Sequence, residues 1–184
     1  PAFSDDTTLP GGPLLALVCD TRGTCYAGQG APGEVVSVDA AGKTRTLMEP
    51  PEGVVTALAV DGKDSLFVAT APTGKVFRVD LKSGTNEPWY APEAKQIWAL
   101  AHDGQNLWVA TGDPGALFKV TAKDKATRVG EKPLAEKLLR SLAVLPGGKG
   151  IVVGGGRKGG IFSVDPKGAL FALYDSSLEE VTSI

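Results

Sequence analysis

His102 is the only histidine in the chain, and this limits what its 184 residues can do by acid–base chemistry. Neither a His–His metal pair nor a Ser–His triad can be assembled from such a sequence. His102 also falls on a strand that faces the core, where it reads first as a histidine satisfied by its neighbours. The two cysteines, Cys19 and Cys25, flank one turn on the same face. In the non-hydrogen-bonded register of an antiparallel pair they lie close enough for a disulfide, which implies an oxidising compartment, periplasmic or extracellular. The alternative is two small reduced hydrophobes. Asp20, Asp61 and Asp103 recur before short turns, but calcium loops need further carboxylates that are absent here, so these residues read as turn caps. The glycine-rich run Gly154 to Gly160 lacks the GK[ST] ending and following helix of a phosphate loop. It reads as a lengthened connection from which Arg157 and Lys158 project. No metal-ligand set and no cofactor is expected.

Trp98 and Arg140 are the side chains best suited to recognition, since Trp and Arg are the residues most often found at binding hot spots. They occupy equivalent positions at the start of consecutive inner strands, where Leu15, Thr56 and Thr182 are their counterparts. Variation at one position of an otherwise regular repeat marks a surface that packing does not need. The connections carrying Gln29, Thr73, Asp113, Arg157 and Lys158 are expected to open on that same face. Together with Thr56, Trp98 and Arg140 they form the candidate ligand or partner face. A Trp filling a channel mouth beside an Arg paired nearby is the competing, purely structural reading.

The elements that must position these residues are short strands. Val54 to Asp80 reads as three strands with tight turns, and the same text recurs before and after it. Gly33, Gly74, Gly115 and Gly159 mark one position of a repeat with a period of about forty residues, the signature of four-stranded β-propeller blades. The expected domain layout is an irregular lead-in over 1–13 and a propeller over 14–184. Blades are expected at about 14–53, 54–95, 96–137 and 138–180, with 181–184 beginning another. A sheet of this kind cannot cover its own two faces, so blades must stack. Inner strands are therefore expected to be buried on both sides. An open stack would expose apolar faces, which predicts a ring of six to eight blades completed by the same longer chain or by another subunit.

The stretch VTALAVDGKDSLFVATAPTGKVFRVD resembles the repeats of bacterial β-propellers of the NHL and SMP-30/gluconolactonase-like group. WD40 repeats are a more distant likeness, since no Gly-His or Trp-Asp dipeptide occurs. The resemblance implies either a binding propeller or a metal-dependent hydrolase or lyase that holds a divalent cation on its axis with Glu, Asn and Asp. The matching strand starts here carry Leu15, Thr56, Trp98, Arg140 and Thr182, none of them a carboxylate. A non-enzymatic scaffold or binding module for a protein or small ligand is therefore the first expectation. A hydrolase or lyase completed by other blades, and a surface carbohydrate-binding or adhesive module, are the alternatives. Net charge is −2 with mixed signs, so no nucleic-acid footprint is visible. Apolar runs are too short for a membrane span.

Overall fold

The computed structural model describes residues 12–51, 53–130, 137–156, 159–175 and 180–184. Most of the 1–13 lead-in lies outside the described residues, as do Arg157 and Lys158. Blade 1 comprises β1 (Leu14–Cys19), β2 (Cys25–Gln29), β3 (Val35–Val38) and β4 (Thr44–Met48). Blade 2 comprises β5 (Val54–Val60), β6 (Ser65–Ala71), β7 (Lys75–Asp80) and β8 (Asn86–Tyr90). Blade 3 follows with β9 (Gln96–His102), β10 (Leu107–Gly112), β11 (Leu117–Ala122) and β12 (Lys125–Arg128). Blade 4 has β13 (Leu138–Val144), β14 (Ile151–Gly156), β15 (Gly160–Val164) and β16 (Leu170–Asp175). Each blade is an antiparallel meander whose spatial order follows the chain, and a single residue pair, Gly112 with Leu138, ties blade 3 to blade 4. This is β-propeller architecture. No helix among the described residues is long and apolar enough to cross a membrane.

The apolar alternation of the strands is used up between blades. Tyr26, Val35 and Met48 meet Val55, Leu58, Leu66, Val68 and Phe77. Ala57, Phe67 and Val76 meet Ile97, Leu100, Leu107 and Val109. Trp108, Ala110 and Leu117 meet Leu139, Ile151, Val153 and Val164. Each buried aliphatic is worth about 1.5–3 kcal/mol relative to exposure, so these three seams hold the stack.

The expectation that the first strand of each blade is buried on both sides holds for β5, where the consecutive Ala57, Leu58 and Ala59 are buried, and fails for β1. The second strands β6, β10 and β14 are almost wholly buried, whereas β1 exposes Leu14, Leu15 and Leu17. The reason is geometric: a second strand has strands on both flanks and blades on both faces, while a first strand is the inner edge of its sheet.

Small residues set the spacing between blades. A Cβ at Gly28 would run into the side chain of Val55, and one at Gly154 into that of Val181. Val181 therefore seats on blade 4 as Val55 seats on blade 1, and its N–H donates to the Gly155 carbonyl at 3.0 Å.

Candidate functional site

The two ends of each blade are built differently. At the turn end, Asp20 Oδ1 accepts the N–H groups of Arg22 and Thr24, and Asp61 Oδ1 those of Lys63 and Ser65. Asp103 Oδ1 accepts from Gln105 and Asn106. Asp39, Asp80 and Asp165 cap outer turns in the same way. Two of the caps are also clasped by an aromatic side chain: Tyr26 Oη donates to Asp20 Oδ2 at 3.2 Å and Trp108 Nε1 to Asp103 Oδ2 at 2.8 Å. Burial alone would raise the pKa of Asp103, but the N–H of Asn106 and the indole N–H of Trp108 hold it below the usual carboxylate value. Asp61 is lowered against burial by Ser65 and Lys63. Blade 4 has Leu145 and Val152 at the equivalent positions, and there a single 3-10 turn, Pro146–Gly148, makes the connection.

The opposite end, where the inner strands begin, carries the candidate residues. The registers of β1, β5, β9 and β13 each skip one residue against the second strand, and the skipped residues are Leu15, Thr56, Trp98 and Arg140. The repeat position that varies most in chemistry is therefore a β-bulge in every blade, a device that re-aims a side chain out of the pleat. Glycines sit against two of these side chains. Leu15 lies against Gly30 and Trp98 against Gly112, where a Cβ would fall 2.5 Å from the indole nitrogen. In blade 2 the residue opposite Ala71 is Val54, and Thr56 has no partner in the register.

Trp98 and Arg140 meet. The Arg140 guanidinium lies 5.1 Å over the Trp98 ring, and its Nη1 pairs with Glu180 Oε1 at 2.7 Å. Among the described residues, Thr56 Oγ1, Trp98 Nε1 and Gln29 Oε1 are buried without a hydrogen-bond partner. Gln29 is 1% exposed and sits at the end of β2, whereas Thr73 and Asp113 are exposed on the connections between second and third strands.

Two open clefts share Asp113. One, of about 360 Å³, is lined by Gln96, Trp98, Gly112, Asp113, Lys137 and Leu138. The other, of about 600 Å³, is lined by Pro72, Thr73, Pro92, Glu93, Ala94, Lys95 and Asp113. Trp98, Thr73 and Asp113 are thus brought together across blades 2 to 4, while Thr56 and Gln29 line neither cleft.

Comparison with solved structures bears on the architecture. The chain is similar to a chain of the nidogen/laminin complex, with a TM-score of 0.78 at 10% identity over 92% of this chain and 67% of that one. It is similar to virginiamycin B lyase from Staphylococcus aureus, with a TM-score of 0.74 at 13% identity over 88% and 55% of the two chains. It also resembles the Swd1 β-propeller domain of Myceliophteria thermophila, at 0.68 and 17% over 92% and 56%. These likenesses show the fold. The chain spans about half to two thirds of the length of these proteins. No protein-family model matches it, and no curated protein matches it in sequence.

Within this propeller the remaining chemistry-bearing residues are structural. His102 stacks on Phe67 at 5.6 Å, and its Nδ1 accepts the Gly104 N–H at 3.1 Å, so the ring is held neutral. Burial lowers its pKa, against the pull of Asp61 and Asp103 and together with Lys63. Cys19 and Cys25 are directly opposed across β1 and β2, Cα atoms 4.0 Å apart, and are joined as a disulfide. No group of three or more His, Cys, Asp or Glu among the described residues is placed to hold a metal ion.

Reasoning from sequence missed Glu93, Lys95 and Lys137, which line the clefts from the connections between blades, and Gln96, which lines one from the first position of β9. Their signal was available in the position of those connections, which enter the inner strands on the same side as Trp98.

Proposed function

We propose that this propeller is a non-enzymatic binding platform whose recognition face is the end where the inner strands begin. One observation carries the reading: every blade keeps a bulge at the same place and puts a different side chain on it, Leu15, Thr56, Trp98 or Arg140. Stability does not account for that choice, because a buried polar atom left unpaired, as at Thr56 and Trp98, costs about 1–3 kcal/mol. The neighbours are consistent with the reading without identifying a partner, since one is a component of a protein complex and another is a lyase. Among propellers, the text of the repeat supports kinship with the NHL and SMP-30-like group. The exposed apolar side chains Leu15 and Leu17 on blade 1, and Phe171 and Leu173 on blade 4, support completion of the ring by further blades. The Cys19–Cys25 bridge supports an oxidising compartment.

The test is a photo-crosslinking amino acid placed at Thr56 in one variant and at Lys63, on the turn end, in another. Both are made in the producing cells. Discrete crosslinked partners from position 56 alone are expected. Equal crosslinking from position 63, or none from position 56, overturns the reading.

A further inference from the structure

Asp113 is an idle carboxylate at the mouth of both clefts. The aspartates at the turns, Asp20, Asp39, Asp61, Asp80, Asp103 and Asp165, all spend an oxygen on a backbone N–H. The carboxylate of Asp113 makes no hydrogen bond or ion pair among the described residues, although its own N–H donates to the Lys137 carbonyl at 2.9 Å. Its backbone also sits at φ 47, a left-handed conformation that glycine or asparagine adopts more readily. The corresponding connections of blades 1 and 2 have Ala31-Pro32 and Ala71-Pro72 where blade 3 has Asp113-Pro114, so the turn itself does not require an acid. Asp124 shares the positive φ and the uncommitted carboxylate, so what sets Asp113 apart is where it stands.

Asp113 forms the wall between the two open clefts, which together run across blades 2, 3 and 4. Glu93 and Lys95 lie on one side of it and Lys137 on the other, so among the described residues the lining carries both signs in equal number. A polyanion has no footing there. An extended peptide, with side chains alternating across a shallow trough, does.

Resting on the platform reading, we propose that this groove binds an extended segment of a partner protein, with a Lys or Arg of that segment paired to Asp113. The probe is a displayed library of random twelve-residue peptides, panned on the whole chain and counter-tested on Asp113→Asn, Arg140→Ala and Asp124→Asn. Asparagine tolerates the positive φ, so D113N removes the charge and keeps the turn. Asp124 has φ 55 and lies outside both clefts, so D124N is the matched control. Enriched peptides sharing a basic residue, bound about fivefold more weakly by D113N and equally by D124N, are the expected result. Peptides weakened by R140A and unaffected by D113N overturn the anchor and leave the platform standing. Peptides indifferent to both variants overturn the platform as well, and a library that yields no binder overturns the peptide groove.

Discussion

The turn end and the inner-strand end of the blades use the same amino acid for opposite purposes. At Asp103 the carboxylate accepts two backbone N–H groups and the indole of Trp108; at Asp113, ten residues along the same blade, it makes no hydrogen bond or ion pair among the described residues. At the turn end of blades 1 to 3 the residue type repeats and so do its bonds. At the other end the backbone feature repeats, as a bulge, while the side chain changes. What is constant at each end identifies what folding demands there, and what varies is what folding leaves open.

Replacing the aromatic clasp should break the turn end most severely. Trp108 is 1% exposed and packs in the seam between blades 3 and 4, so Trp108→Ala should cost about 3–5 kcal/mol in chemical denaturation. Trp98→Ala, at the half-buried bulge, should cost less than half as much. Equal losses would erase the distinction between the ends. Next in size is Gly112→Ala, whose methyl group would meet both the Trp98 indole and Leu138. About 1–3 kcal/mol is expected, with the loss largely relieved in the double variant Gly112→Ala/Trp98→Ala. Additive losses in that pair would show that the indole is not what the glycine accommodates.

The aspartates sharpen the contrast further. Asp103→Asn keeps one acceptor oxygen and should destabilise the chain by about 1–2 kcal/mol, whereas Asp113→Asn should leave its melting temperature unchanged. The smallest effect is expected from His102. Its pKa is lowered in the folded chain, so the unfolded chain takes up the proton first. Stability is whole above about pH 6.5 and falls as pH drops from there toward the folded value. Asp61 and Asp103 are lowered as well, and they add a second loss below about pH 4. His102→Asn, whose amide oxygen can replace Nδ1 as acceptor, should abolish the upper step and retain the lower one.

Much of this was legible in the sequence because the repeat shows four versions of one solution. Strand order, the capping role of Asp61 and its equivalents, and the opposition of Cys19 to Cys25 all follow from period-two alternation across short turns. The bulges were not legible. Within Val54–Val60 every residue but Thr56 is apolar, so no polar alternation betrays where a residue is skipped. The variable position was recognised, but the reason it is free to vary lies in the ladder. The glycines also hid two roles behind one alignment. Gly74 has φ 64, whereas Gly33 is absent from the left-handed region and is required because a Cβ would fall 2.5 Å from the Gly53 carbonyl carbon. Asp113 was picked out for its place in a connection, yet its idleness appears only once the aspartates that cap turns are seen at work.

The packing of a bulged side chain on a glycine has an evolutionary consequence. Leu15 with Gly30 and Trp98 with Gly112 each lie within one blade, so the two partners are inherited together. Trp98 also meets Arg140 and Gly112 abuts Leu138 in the next blade, while Val55 on Gly28 and Val181 on Gly154 make further contacts between blades. Duplication or recombination of whole repeats therefore carries a bulged side chain together with the glycine it packs on, and only its contacts to the next blade have to be refitted. Point substitution at a bulge must find two changes at once.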